Sequence, residues 1–126
     1  MAKNSGKIFV IDDDESIVEA LTYCLQDQGY IVKAVRKAEN IVATVCGFAP
    51  NIVLLDLFLS GQDGKQIATE LKHDKRTENI PIVMFSAHPS GQQEATNLGI
   101  AGYLAKPFDT EELLQIIRTH MLPVIA

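Results

Sequence analysis

The feature that most constrains the fold is the segment 51–56, in which four consecutive apolar residues lead directly to the carboxylate of Asp56. A strand with one face in water alternates apolar and polar residues, whereas an unbroken Ile-Val-Leu-Leu run is typical of a strand buried on both faces, as in a parallel sheet. Ligands bind at the carboxyl ends of strands in open parallel sheets. Asp56 is therefore either a solvated loop residue or the centre of a site, and the rest of the sequence favours the site.

Four further segments resemble short strands. Residues 7–11 and 81–85 are apolar runs like the first, 102–105 is shorter, and 30–35 is more polar and is therefore expected nearer an edge of the sheet. Apolar residues recur at helical spacing between and after these strands. The pattern is thus a strand followed by a helix, repeated five times.

Capping and terminating residues divide the helical segments. Asp14 or Ser16 is suited to cap the first helix, Asp63 the third and Asp109 the last, where Glu112 completes a capping box. The expected ends are Gly29 for the first helix, Gly47 and Pro50 for the second, the charged residues 72–76 for the third, and Gly99 for a weaker fourth helix over about 92–98.

Alternation of strands and helices predicts an α/β fold, a doubly wound parallel sheet covered by helices on both faces. A length of 126 residues falls in the range of one domain, and no linker or repeat divides it. We expect a single domain over residues 1–126, with a core of about 7–120 and no output domain in this chain.

The charge and apolar content of the chain exclude several classes of partner. A net charge of −5 argues against direct binding to nucleic acid. No stretch reaches the roughly 18 apolar residues of a membrane span, and no apolar signal region follows the N-terminus, so we expect a cytoplasmic protein without membrane contact. Cys24 and Cys46 lie in apolar, helix-patterned stretches without metal-ligand spacing, which favours reduced core thiols.

Polar side chains stand where the apolar strands end. Asp12 and Asp13 follow the first strand, and Asp56, Ser86 and Lys106 end the third, fourth and fifth. Because the carboxyl ends of parallel strands lie at one edge, these side chains are expected to converge. Three carboxylates without His or Cys favour Mg²⁺ as the ion that relieves their repulsion. A nucleophilic carboxylate, a cation and a hydroxyl beside such a metal suit phosphoryl transfer to Asp56.

In these residues the chain resembles the receiver domain of two-component response regulators, the CheY-like family. The matching segments run from about residue 7 to 120: Val10-Ile11-Asp12-Asp13, Leu55-Asp56 with Leu59, Asp63-Gly64, Ser86-Ala87, and Tyr103-Leu104-Ala105-Lys106-Pro107-Phe108. Each motif alone is weak, but all of them in order are highly specific. The resemblance implies a five-stranded (βα)5 sheet of order 2-1-3-4-5.

The resemblance also implies a metal site built around the phosphoacceptor. It makes Asp56 the phosphoacceptor and, with Asp13, a ligand of Mg²⁺. Asp12 would act through a bound water, and the backbone carbonyl of Phe58 would complete the protein ligands. A cis peptide bond between Lys106 and Pro107 is expected as well, since X-Pro bonds adopt cis most readily.

Two further roles concern the phosphoryl group and the signal. By resemblance, Ser86 and Lys106 contact the phosphoryl group, and Tyr103 is the aromatic residue that swings inward when Ser86 is drawn to it. Phe58 and His88 occupy the two family positions that tune phosphate lifetime. Phe58 has no polar group to orient an attacking water, which predicts slow self-dephosphorylation. Receivers often carry Pro where this chain has Ser60.

The expected function is therefore that of a stand-alone receiver and not of a metabolic enzyme. A sensor histidine kinase or a histidine phosphotransfer protein would be the donor. A downstream protein would bind the face formed by the fourth helix, the fifth strand and the last helix, and a phosphorylation-dependent homodimer is left open.

Three alternatives remain at this point. An FMN-binding electron carrier has the same architecture, but the acidic loop 12–15 would repel its phosphate. A phosphohydrolase with an aspartyl intermediate would need a general acid and a cap, and the sequence suggests neither. A degenerate receiver that only binds proteins is disfavoured by the intact set of site residues.

Overall fold

The computed structural model describes residues 6–37, 39–59, 62–100 and 102–123, and five sheet strands alternate with five helices along them. The strands are β1 (Lys7–Ile11), β2 (Ile31–Val35), β3 (Ile52–Asp56), β4 (Ile82–Ser86) and β5 (Gly102–Ala105). The helices are α1 (Glu15–Asp27), α2 (Ile41–Phe48), α3 (Gly64–His73), α4 (Gly91–Asn97) and α5 (Thr110–His120).

All five strands form one parallel sheet in the order β2-β1-β3-β4-β5, which confirms the predicted fold class and strand order. The more polar β2 is an edge strand, as its composition indicated. The central strand β3 is buried along its whole length, and so is β4. The apolar run that ends at Asp56 is therefore covered on both faces, as a parallel sheet requires.

Two apolar layers sandwich the sheet because successive side chains of a strand point to opposite faces. Val53 and Leu55 of β3 pack with residues of α2, α3 and α4 on one face. Ile52 and Leu54 pack with residues of α1 and α5 on the other. The helices thus cover both faces and leave the carboxyl edge of the sheet to the loops, which is where the site lies.

The helix caps follow the predictions at three N-termini. The carboxylates of Asp14 and Asp63 accept hydrogen bonds from the first backbone N–H groups of α1 and α3. Asp109 and Glu112 form the predicted capping box of α5. Gly99 follows α4 with a positive φ of 72°, a conformation that suits glycine.

The end of α2 was predicted wrongly. The helix continues through Gly47 to Phe48, and Ala49 adopts the left-handed conformation expected of a glycine there. A side chain at position 47 would meet open space, so no close contact requires a glycine there. Asn40, the residue before α2, also has a positive φ and makes no side-chain cap.

A two-residue antiparallel ribbon, Phe58–Leu59 with Gln62–Asp63, lies between β3 and α3 and was not predicted. Ser60, where a proline is common in receivers, lies outside the described residues, as does Gly61. Cys24 and Cys46 are free thiols, as predicted, and both are partly exposed; Cys24 packs against the apolar layer on the α1 and α5 face of the sheet. Among the described helices, none is both long and apolar enough to cross a membrane.

Candidate phosphoryl-transfer site

The sheet register brings the predicted polar residues to one edge. Asp56, the last residue of β3, pairs with Phe85 of β4, and the next residue Ser86 pairs with Ala105 of β5. Lys106 follows β5 directly, and its backbone N–H donates to the Ser86 carbonyl at 2.9 Å. These side chains are thus held by neighbouring parallel strands.

Three carboxylates converge at this edge. One oxygen from each of Asp12, Asp13 and Asp56 lies within 4.8 Å of the others. Asp12 is fully buried and Asp56 is only 6% exposed. Their inner oxygens accept backbone hydrogen bonds, from Asp14 N–H at 2.9 Å and from Phe58 N–H at 3.1 Å respectively. Backbone donors therefore orient both buried carboxylates.

Lys106 bridges the two buried acids. Its Nζ lies 3.2 Å from Asp12 Oδ2 and 3.3 Å from Asp56 Oδ2. The same ammonium lies 4.9 Å from the centre of the Phe85 ring, a cation–π distance. The predicted cis peptide bond between Lys106 and Pro107 is present.

The single ammonium of Lys106 does not neutralise the three acids, and the pKa of Asp56 is raised as a result of burial and of this remaining negative charge. Burial raises the pKa of the Asp56 carboxyl to about 6; Lys106 opposes this rise, and the negative charge of Asp12 adds to it. Two buried carboxylates repel each other, and this repulsion contributes to the raised pKa of Asp56. A bound cation would offset the repulsion and lower that pKa.

The donor set fits Mg²⁺. The three acids supply only oxygen atoms, and oxygen atoms are the ligands that Mg²⁺ prefers. Two of these carboxylates are fixed by backbone N–H groups and by Lys106, so the site is formed by the protein itself. Asp13 is partly exposed at the rim, where a ligand that meets an entering ion would stand.

A cavity of about 410 Å³ opens beside Asp56. It is lined by Asp56, Phe58, Ser86, Ala87, His88, Pro89 and Lys106. The acid is at its base, Lys106 and Ser86 are at its sides, and the half-exposed ring of Phe58 is at its mouth. A cavity of this size has ample room for a phosphoryl group in contact with the carboxylate.

Ser86 is buried at 2% exposure, and its hydroxyl oxygen accepts the backbone N–H of His88 at 2.9 Å. A serine hydroxyl that accepts one hydrogen bond still has its own hydrogen to donate. Because Ser86 lines the cavity, a phosphoryl oxygen there is a suitable acceptor.

Tyr103 links this region to helix α4. Its hydroxyl donates to the Ser86 carbonyl at 3.2 Å, and its ring is partly buried. A side chain on Gly91, the first residue of α4, would overlap this ring. The rearrangement expected for Tyr103 remains a prediction, whereas its connection to Ser86 is present in the structure.

Two glycines and one serine near the site were not singled out from the sequence as site residues. Gly64 begins α3 where a Cβ would lie 2.5 Å from the carbonyl oxygens of Asp56 and Leu57, so the loop after β3 closes only over a glycine. Gly91 makes room for Tyr103, and Ser90 contacts the His88 ring. Gly64 had a sequence signal, because Asp63-Gly64 is one of the segments that match the receiver family, whereas nothing in the sequence indicated the roles of Gly91 and Ser90.

Comparison with known proteins agrees with this geometry. The family model described as "Response regulator receiver domain" matches residues 8–118. The chemotaxis protein CheY4 of Vibrio cholerae superposes with a TM-score of 0.84 at 24% identity, over 94% of this chain and 100% of that one. A putative response regulator from Chloroflexus aurantiacus gives 0.84 at 25% identity, over 92% and 97%.

A third similar structure is the receiver domain of a sensor histidine kinase from Pseudomonas aeruginosa, solved with a magnesium ion in its active-site cleft. It has a TM-score of 0.83 at 23% identity and covers 93% of this chain and 98% of that one. At this identity the likeness concerns the fold.

Proposed function

Because the chain belongs to the response regulator receiver domain family, we propose that Asp56 accepts a phosphoryl group from a phosphohistidine donor and that the modified protein signals to a protein partner. The observation that carries this proposal is the placement of Asp56: a buried carboxylate that shares Lys106 with Asp12 at the base of an open cavity. Such a carboxylate is accessible to one reactant and shielded from bulk water elsewhere.

The transfer exchanges one bond to phosphorus for another. A carboxylate oxygen of Asp56 bonds to phosphorus while the bond from phosphorus to the donor's histidine nitrogen breaks, and the released imidazole takes up a proton. Lys106 faces the side of Asp56 where the phosphoryl oxygens arrive, so its ammonium stabilises their negative charge. Ser86 donates its hydroxyl hydrogen to another of these oxygens.

Mg²⁺ would be held by Asp13 and Asp56 directly, by Asp12 through a water, and by the backbone carbonyl of Phe58. When bound there, the ion neutralises the carboxylates and stabilises charge on the phosphoryl oxygens. The raised pKa of Asp56 supports this assignment, because the nucleophile must be ionised at neutral pH and a nearby cation favours ionisation. The magnesium ion in the cleft of the Pseudomonas aeruginosa receiver is consistent with it.

The signal is proposed to leave through α4, β5 and α5. Tyr103 of β5 touches both the Ser86 carbonyl and Gly91 of α4, so a displacement of Ser86 toward the phosphoryl group changes the packing of this face. A downstream protein that binds the altered face then reads the phosphorylation state. This makes the chain a phosphoacceptor with self-phosphotransfer and autodephosphorylation activity in the cytoplasm, and not a metabolic enzyme.

Intact mass after incubation with acetyl phosphate tests the acceptor. Wild type and Asp56→Asn are compared with and without Mg²⁺. We expect a gain of one phosphoryl group that requires both Mg²⁺ and Asp56. The proposal would be contradicted if wild-type protein gained a phosphoryl group neither from acetyl phosphate nor from any of a panel of phosphorylated histidine kinases. That result would indicate a phosphate-independent binding module.

The rate of phosphoryl loss tests the contribution of Phe58. Its apolar, half-exposed ring stands at the mouth of the cavity and offers no group that orients an attacking water. We expect Phe58→Asn to shorten the lifetime of the phosphorylated protein, as followed by intact mass after removal of the donor. An unchanged or longer lifetime would contradict slow self-dephosphorylation caused by Phe58.

A further inference from the structure

Ser90 occupies the N-cap position of α4 but does not cap the helix with its side chain. Its Oγ lies 2.8 Å from Nδ1 of His88, and its backbone N–H donates to the same nitrogen at 3.1 Å. Serine at this position ordinarily satisfies the first backbone N–H groups of the helix. Here the hydroxyl is directed instead to an imidazole that lines the cavity beside Asp56.

These contacts define the state of the His88 ring. A nitrogen that accepts a backbone N–H carries no proton, so the proton of the neutral imidazole is on Nε2. The backbone N–H and the hydroxyl of Ser90 both contact Nδ1, and these two contacts limit the rotation of the ring about its bond to Cβ. His88 is therefore held in one tautomer and one orientation by the residue two positions further along the chain.

The ring held in this way packs against Phe58. The two ring centres are 5.0 Å apart and the planes are inclined by 51°, within the range of favourable aromatic pairs. Both rings line the cavity that contains Asp56. Phe58 is tied to the acceptor, because its backbone N–H donates to Asp56 Oδ1, and His88 is tied to Ser86 through its own backbone N–H.

We propose that Ser90 is a positioning residue that holds the His88 ring against Phe58, at the two positions that tune phosphate lifetime in receivers, and that the Ser90 hydroxyl thereby lengthens this lifetime. The inference rests on the proposed function of Asp56. Hydrolysis requires a water oxygen to reach phosphorus from the side opposite Asp56; the bond from phosphorus to the carboxylate oxygen then breaks, phosphate leaves and Asp56 is restored. An apolar pair at the cavity mouth slows this approach without contacting the phosphoryl group.

The test compares phosphoryl lifetimes after loading with acetyl phosphate and removal of the donor. Ser90→Ala keeps the backbone hydrogen bond but loses the hydroxyl, and we expect about threefold faster decay, the size of effect that one neutral hydrogen bond gives. Ser90→Thr retains a hydroxyl and should restore the wild-type lifetime. Thr96→Ala is the matched control, because it removes a hydroxyl from the same helix that bonds only within α4.

Two further measurements separate positioning from a general loosening of α4. In a Phe58→Ala background the aromatic pair is absent, so Ser90→Ala should cause no additional acceleration. Nuclear Overhauser contacts between the His88 and Phe58 rings should be present in wild type and weaker in Ser90→Ala, whereas the imidazole ¹⁵N shifts should keep the His88 proton on Nε2 in both, because Ser90→Ala retains the backbone N–H that donates to Nδ1.

Equal decay of wild type and Ser90→Ala would overturn the inference, as would an additive effect in the Phe58→Ala background or a proton on Nδ1 in wild type. These outcomes differ from failure of the proposed function. If no variant accepts a phosphoryl group from any donor, the acceptor assignment and this inference fall together. If all variants accept it and lose it at one rate, only the role of Ser90 is rejected.

Discussion

The polar groups at the two ends of the parallel sheet differ in how their charges and hydrogen bonds are balanced. At the amino end, Asn51 Oδ1 accepts the Lys7 N–H at 2.9 Å, and its side-chain amide donates to the carbonyls of Leu122 and Pro123 at 3.4 Å. Lys7 Nζ is hydrogen-bonded to the Phe48 carbonyl. At the carboxyl end, two buried carboxylates share one ammonium and a third acid stands beside them.

This difference separates a structural network from a site. The network at the amino end joins backbone groups, the Asn51 amide and the single ammonium of Lys7 without any carboxylate, so it stabilises the fold and has no excess of negative charge. The acids at the carboxyl end exceed the nearby positive charge, and burial keeps water from compensating them. A protein tolerates such an arrangement where a ligand completes it, and the following variants test whether charge or hydrogen bonding dominates at each end.

Removing the ammonium should give the largest effect. Lys106→Met leaves Asp12 and Asp56 buried together without the cation that contacts both, and we expect a loss of about 3 kcal/mol in the free energy of unfolding at pH 8 without Mg²⁺. The pKa of Asp56 then rises beyond about 6, so the loss should shrink as the pH falls. Urea denaturation followed by circular dichroism measures it, and a loss independent of pH would contradict an electrostatic origin.

Neutralising the acceptor should have the opposite sign. The folded-state pKa of Asp56 is raised from 3.8 to about 6, so the folded protein binds more protons than the unfolded chain between these values, and wild-type stability falls as the pH rises through this range. Asp56→Asn should therefore be more stable than wild type by about 2 kcal/mol at pH 8. The gain should disappear near pH 4. Destabilisation at pH 8 would show that the buried charge is already compensated.

Loss of the neutral Asn51 amide should change stability without pH dependence. Asn51→Ala removes the side-chain hydrogen bonds to Lys7, Leu122 and Pro123, and we expect a loss of about 1 kcal/mol that is constant from pH 5 to 8. Phosphorylation by acetyl phosphate should proceed at the wild-type rate, since Asn51 lies at the opposite end of β3 from the site. A change in that rate would remove the distinction between the two ends.

A neutral contact at the carboxyl end should matter least. Tyr103→Phe removes the hydroxyl that donates to the Ser86 carbonyl, an oxygen that still accepts the Lys106 N–H. We expect a loss of about 0.5 kcal/mol in unfolding free energy, measured as for the other variants. A loss as large as that of Lys106→Met would show that hydrogen bonding, and not charge, dominates this end of the sheet.

Much of this molecule was predictable because local patterns and the global fold agree. The apolar run before Asp56 indicated a doubly buried strand, and strand-helix alternation then placed every strand end at one edge. Asp12, Asp13, Asp56, Ser86 and Lys106 could be assigned to a common site for that reason. The capping residues Asp14, Asp63 and Asp109 were predictable since a cap acts within four residues of sequence.

Errors and omissions occurred where distant contacts decide. Glycine is common just after the end of a helix, but Gly47 lies inside α2 and Ala49 adopts the left-handed conformation after it. The need for glycine at position 91 comes from the Tyr103 ring, twelve residues away in sequence. No local pattern contains such information.

The sequence by itself determined the alternation of strands and helices, the edge at which the site forms and the residue types within it, since periodicity and strand ends are local properties of the chain. The strand order came from the resemblance to a known family. Only the tertiary structure decided that Lys106 lies between Asp12 and Asp56, that Asp56 is buried deeply enough for its pKa to rise, and that Ser90 holds His88 against Phe58. These properties depend on distances across strands and loops, and such distances exist only once both faces of the sheet are packed.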